Sequence, residues 1–287
     1  MKYLLSTGTV DLIHLDRKMT VASATVVPSI GIIGGTGQLG RAIAHGLLQN
    51  KNFMSEKLWI SCRSNNTSAF NTEHEIEFTS RNQGLVDSCQ IVILSVPPHL
   101  LHTVDINAED RLIISVVAGV SIERLKQITK ARRIVRVMSN PAAEIGLAYS
   151  PWCGCADLLD KDKEWTQRIL ETCGLTDEVP DENQIDQFTA LTGPVPGFVA
   201  YFADCMVQYA VKNGIDPGVA DRAICQLFHA SGVLLTQSKA SPNEHVSAMI
   251  SYAGTTAMGL EAMKSSPLAE SIEQGLAAAY QQARRET

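Results

Sequence analysis

The stretch from Ile30 to Gly40, I-G-I-I-G-G-T-G-Q-L-G, holds the residues whose types and spacing most directly imply chemistry. An apolar run ends in glycines at Gly35, Gly37 and Gly40, and a helix-like stretch follows from Arg41 to Gln49. A buried strand that feeds a tight turn and then a helix presents unpaired N–H groups suited to a pyrophosphate. In such a turn Gly35 would allow the bend, Gly37 would let the backbone approach the phosphates, and Gly40 would let the helix lie against the strand. Thr36, Gln38 and Leu39 fill the rest of the cradle. The next apolar run, Lys57 to Ile60, leads into Ser61-Cys62-Arg63-Ser64-Asn65. A protein selective for NAD places an acid at this strand end, on the ribose hydroxyl. Here Arg63 stands among hydroxyl side chains, Ser61 and Ser64, and would take a 2′-phosphate through charge-assisted bonds. NADP(H) is the expected cofactor.

The elements needed to hold these residues follow from the hydrophobic pattern. Strands are expected at Ser29–Ile33, Lys57–Ser61, Ile91–Val96, Leu112–Val116 and Ile134–Met138, alternating with helix-like stretches. That order predicts a mainly parallel, doubly wound α/β sheet, with ligands at the carboxyl ends of its strands. The run Ile91 to Val96 is continuously apolar, as in a strand covered on both faces, and Pro97-Pro98 stops it. From about Asp181 the strand pattern disappears. Asp216-Pro217 reads as an N-cap with proline in the first turn of a long helix. Further helices are expected at Thr255–Lys264 and Leu268–Arg284. The expected division is an N-terminal arm over 1–27, poorly ordered; a nucleotide-binding domain over 28–178; and an all-α domain over 179–287.

Composition narrows the function classes. With 287 residues, 45% hydrophobic and 19% charged, the chain has the makeup of a soluble globular protein. A net charge of −6 gives no basic footprint, so nucleic acid and membranes are not expected partners. Asp11, Asp16, Arg17 and Lys18 break up any signal-peptide core. The seven cysteines lack metal-site spacing and are expected to be reduced, in a cytoplasmic protein, with no bound metal.

Taken together and in order, five stretches resemble the pyrroline-5-carboxylate reductase family. They are the glycine loop; Leu94-Ser-Val-Pro-Pro-His99; Ser115-Val-Val-Ala-Gly-Val-Ser121; Arg136-Val-Met-Ser-Asn140; and Ala190-Leu-Thr-Gly193 with Ser251-Tyr-Ala-Gly-Thr-Thr256. The glycine loop alone also looks like that of F420-dependent NADP reductases, a likeness confined to the first domain. The family resemblance implies a Rossmann domain followed by a helical domain that carries the substrate and forms at least a homodimer. It implies reduction of the C=N bond of a small cyclic imino acid with NAD(P)H, the step that completes proline biosynthesis. Carried over by position, Thr256 would reach the substrate nitrogen as the catalytic residue. Thr192, Gly193, Gly254 and Thr255 would hold the substrate. Asn82, Val96, Pro97 and Ala118 would join the glycine loop around the cofactor, with Met138 and Asn140 on its floor. Read from residues alone, the turn before Thr256 serves equally as a carboxylate site or a simple N-cap. Both threonine–glycine turns are expected to offer N–H groups to one carboxylate. His99 and His102, after the third strand, are candidates to approach the cofactor. The chain departs from the family where Pro194 replaces a serine, Val195 a glycine, Tyr252 a proline, Ala253 a glycine and Pro97 a lysine. Those departures support one alternative, a reductase of a different imine; a nucleotide-binding regulator without turnover is a second, against which the intact glycine loop and Thr255-Thr256 stand.

Overall fold

A computed structural model describes residues 27–50, 53, 58–62, 70 and 76–285. The expectations for the N-terminal arm, for Arg63 and for Ser64 lie outside the described residues. The nucleotide half is built from β1 (Ile30–Ile33), α1 (Gln38–Gln49), β2 (Leu58–Ser61), β3 (Ile76–Thr79), α2 (Asn82–Ser88) and β4 (Ile91–Leu94). It continues through β5 (Leu112–Ser115), α3 (Ile122–Thr129), β6 (Arg133–Val137), β7 (Ala148–Tyr149), β8 (Trp152–Gly154), α4 (Asp160–Glu171) and β9 (Gly174–Leu175). Helices α5 (Glu182–Leu191), α6 (Gly197–Lys212), α7 (Pro217–Gln237), α8 (Pro242–Ser251), α9 (Thr255–Lys264) and α10 (Leu268–Arg285) complete the chain.

Among the described residues the main sheet runs β3-β2-β1-β4-β5-β6-β8, parallel except for β8, which pairs antiparallel with β6. The order reverses direction at β1, which is where a doubly wound sheet opens a crevice. Side-chain alternation sorts the sheet into two cores. Ile30, Ile32, Ile91, Ile93, Leu112 and Ile114 pack on one side with Ile43 and Leu47 of α1 and Ile169 of α4. Ile33, Val92, Leu94, Ile113 and Ile134 pack on the other with Leu85 of α2 and Leu125 of α3. The expected strands are all present, the first four shorter by a residue or two and the fifth shifted by one residue to Arg133–Val137. The largest difference is in the third: β4 ends at Leu94, and Ser95 and Val96 already belong to the loop above the sheet. Helix α1 begins at Gln38 rather than Arg41, so Gly40 lies in its first turn.

The second half is helical, as expected. Asp216 caps α7 by accepting from the Val219 N–H at 3.0 Å, with Pro217 in the first turn. Helix α5 is bound to the sheet by buried Arg136 of β6, whose guanidinium pairs with Glu182 at 3.1 Å and with Asp186. Glu182 also accepts from the Ile122 N–H at 2.7 Å, which adds the start of α3 to the same knot. Helices α6 and α8 bury none of their residues, while α7 buries Ala220 and α9 buries Ala257. Phe198, Tyr201 and Phe202 of α6 and Leu227 and Leu234 of α7 are all exposed in the single chain. Among the described residues no helix is long and apolar enough to cross a membrane.

Candidate active site

At the carboxyl ends of β1, β2 and β4 a cleft of about 530 Å³ opens, with Thr36, Gly37, Ser61, Asn82, Val96 and Pro97 in its wall. These come from the loop after β1, the end of β2, the start of α2 and the loop after β4, and the sheet gathers them because its parallel strands end on one edge. The Gly37 N–H donates to the Gly34 carbonyl at 3.0 Å, and the Ser95 N–H to Ile33 at 2.9 Å, so the β1 turn and the β4 loop are locked side by side. Gly37 caps α1 with no side-chain bond and no acid in the first turn. The first N–H groups of α1 therefore face the cleft end of the helix without a capping acceptor.

The glycine roles differ from expectation in one respect. The bend is made by Gly34, at φ +83, and not by Gly35. A Cβ on Gly34 would overlap the Ser95 carbonyl oxygen. Gly35 is needed for packing instead, since its Cβ would meet Ile60 at 2.9 Å. Gly40 performs the expected role: a Cβ there would fall 2.6 Å from the Gly34 oxygen. Gly35, Gln38, Leu39, Gly40 and Ala118 are outside the cleft lining, although the first four build or adjoin its turn. The Ser61 hydroxyl bonds the Asn82 side-chain oxygen, which orients the Asn82 amide nitrogen as the end able to donate to a ligand. His99 and His102 lie exposed on a 3-10 helix, Pro98–Thr103, and do not line the cleft, whereas Leu100 and Thr103 do. No local pattern marks those two, since they meet the cleft only through the fold. Gly34 carried a signal: it is the first glycine after an apolar strand.

In the helical half, the two threonine turns differ. The N–H groups of Thr192 and Gly193 both donate to the Phe188 carbonyl, at 2.9 and 3.2 Å, and the Thr192 hydroxyl bonds the same oxygen at 3.1 Å. The expectation that this turn offers N–H groups to a carboxylate is therefore corrected: the end of α5 consumes them. The other turn remains open. Gly254 caps α9 without a side-chain bond, and Thr255 and Thr256 are exposed at the helix start. Ala253, where the family has glycine, keeps a left-handed backbone at φ +55. Tyr252 beside it is 85% exposed. Helix α5 packs on α10, and α9 on α8 and α10, but α5 and α9 make no extended contact with each other.

Two family models match this chain. Residues 29–119 match NADP oxidoreductase coenzyme F420-dependent, and residues 182–286 match pyrroline-5-carboxylate reductase dimerisation. Pyrroline-5-carboxylate reductase from Aquifex aeolicus is 30% identical over 235 residues, which is 81% of this chain and 87% of that protein. Pyrroline-5-carboxylate reductase 3 of Mus musculus is 27% identical over 82% of this chain and 87% of its own length. Among solved structures, 1-pyrroline-5-carboxylate reductase from Streptococcus pyogenes is 28% identical with a TM-score of 0.74, covering 90% of this chain and 98% of its own. The Coxiella burnetii protein shares the fold at a TM-score of 0.82, with 22% identity over 91% of this chain and 99% of its own. With that identity sustained across both domains, the chain belongs to the pyrroline-5-carboxylate reductase family.

Proposed function

We propose that this chain reduces 1-pyrroline-5-carboxylate, or a closely related cyclic imino acid, with NADPH. The observation that carries the proposal is the strand-end cleft, walled by Thr36, Gly37, Asn82 and Val96 and set at an uncapped α1 N-terminus, in a chain related over both domains to pyrroline-5-carboxylate reductases. The cleft fits a dinucleotide: its size, the side-chain-free approach at Gly37 and the unpaired helix start all suit a pyrophosphate. Bound NADPH supplies the hydride. The chain's own residues bind, orient and exclude water. A cyclic imine arrives with its activating proton in place, so no acid–base histidine is required, in keeping with His99 and His102 lying outside the cleft lining. The start of α9 holds the substrate carboxylate, and the Thr256 hydroxyl bonds the ring nitrogen. Thr192 and Gly193 face the substrate through shape rather than through N–H donation.

Because α5 and α9 make no extended contact and the helical half matches a dimerisation model, we take the working unit to be a homodimer built through that half, with a second copy completing the substrate site. Activity at the end of proline biosynthesis and a cytoplasmic location belong to the same proposal. The location is in keeping with cysteines that form no disulfide among the described residues. Pro194, Val195 and Tyr252 favour a second reading, a reductase tuned to a different ring. Steady-state rates against five- and six-membered cyclic imines decide between them. Thr256→Val keeps the side-chain shape and deletes the hydroxyl. It is expected to lower kcat/KM by roughly ten- to a thousandfold with NADPH affinity little changed. A Thr256→Val variant as fast as the parent rejects this placement of the site.

A further inference from the structure

Asn140, expected on the cofactor floor, is committed at both ends of its side chain. It follows β6 and is 4% exposed. Its Oδ1 accepts from the Ala142 N–H at 3.0 Å and so starts the 3-10 helix Pro141–Ile145. Its Nδ2 donates to the Thr192 carbonyl at 3.0 Å. That carbonyl belongs to the C-cap of α5, where a helix leaves acceptors without intrahelical partners. Two contacts reinforce the seam. The Thr189 hydroxyl lies 3.3 Å from the Met138 sulfur, and Met138 also lies against Gly193, where a Cβ would meet the Met138 methyl at 2.6 Å as well as the Thr189 carbonyl oxygen. The residues just past β6 therefore hold the last turn of α5, Asn140 at the Thr192 carbonyl and Met138 at Thr189 and Gly193.

We propose that Asn140 is a positioning residue, which sets the Thr192–Gly193 turn against the carboxyl edge of the sheet. The proposal rests on the imine-reductase reading for its kinetic consequence, but the clamp itself is a property of the chain alone. Asn140 touches no reacting atom in this role. It acts by fixing where the substrate-facing turn stands relative to the strand ends that carry the cofactor cleft. Displacement of a positioning element by about 1 Å can cost on the order of a hundredfold in rate.

Two substitutions separate the two ends of the side chain. Asn140→Asp keeps the acceptor used by Ala142 and replaces the donor with an oxygen that repels the Thr192 carbonyl. Asn140→Ala removes both. If Asn140 only caps the 3-10 helix, Asn140→Asp behaves as the parent. The clamp predicts that both variants lose about ten- to a hundredfold in kcat/KM for the cyclic imine, with NADPH dissociation constants within about twofold of the parent. It also predicts faster amide hydrogen exchange across 189–197 in both, with the glycine loop over 34–40 unchanged. Parent-like kinetics in Asn140→Asp, a loss that tracks NADPH affinity, or unaltered exchange over 189–197 overturns the proposal. Should Asn140→Ala fail to fold, the kinetics and exchange of Asn140→Asp suffice to support or overturn the clamp. Should the parent reduce no cyclic imine, the proposed function falls, and exchange over 189–197 still decides the clamp.

Discussion

The proposed cofactor role of Arg63 and the buried thiol of Cys89 are open to test one residue at a time. Arg63 sits two residues past β2, whose Ser61 lines the cofactor cleft. A phosphate–arginine bond is worth about 1.5–3 kcal/mol, so Arg63→Ala should erase roughly ten- to a hundredfold of the preference for NADPH over NADH. Fluorescence titration of both cofactors checks it, and equal affinities in the parent would reject Arg63 as the selector. Cys89 is buried just past α2, against Gly31. Burial pushes its thiol from the ordinary 9.0 up to about 12, partly opposed by the charge of Arg111. Between those values the unfolded chain releases a proton that the folded chain keeps. The contribution to stability is therefore complete below pH 9.0 and is lost as pH rises towards 12. The melting temperature should fall more steeply above pH 9.0 in the parent than in Cys89→Ala, and parallel profiles would refute the assignment.

At the scale of elements, the β1–α1 turn separates folding from binding. Gly34 needs its left-handed backbone and has the Ser95 carbonyl against it. Gly34→Ala should cost about 1–3 kcal/mol of stability through both strain and overlap, read as a lower denaturant midpoint. Gly37 is in extended backbone, and its nearest obstacle to a Cβ is the Gly34 oxygen at 3.3 Å. Gly37→Ala should keep most of the stability while obstructing approach to the pyrophosphate, so that NADPH binds at least about tenfold more weakly. Matching stability losses in the two variants would show that the glycines share one role. In the helical half, α9 begins with no side-chain cap, whereas α8 has a full capping box between Ser241 and Glu244. The contrast leaves the first N–H groups of α9, like those of α6, without a side-chain acceptor, and the proposed substrate site uses those of α9.

For the whole molecule, the decisive fact is how little the helical half buries by itself. Phe202 stacks edge-on against Phe228 between α6 and α7, but most of the large apolar side chains on this helix pair face outward. A monomer that exposes so much apolar surface is expected to associate. The dimerisation model that matches residues 182–286 covers these same helices. Light scattering at micromolar concentration should give a mass of at least twice 31.1 kDa. A mass of 31.1 kDa would overturn both the dimer and the substrate site that depends on it.

The chain's local signals determined a large share of this. Apolar runs marked the strands at Ile30, Leu58, Ile91, Leu112 and Ile134, because a strand covered on both faces is apolar along most of its length. Asp216-Pro217 fixed the start of α7, because capping depends only on neighbours in sequence. Short or polar elements escaped: β3 is a half-buried edge strand, β8 spans Trp152–Gly154, and α4 opens Asp-Lys-Asp-Lys-Glu. Only the tertiary structure decided that Gly34 rather than Gly35 makes the bend, because the crowding atom belongs to Ser95, far along the chain. It alone showed that Phe188 takes the N–H groups of Thr192 and Gly193, and that Asn140 reaches across to hold their turn in place. Periodicity and caps are written over a few neighbouring residues. The partners of a backbone carbonyl or a missing Cβ are set by segments that only folding brings together.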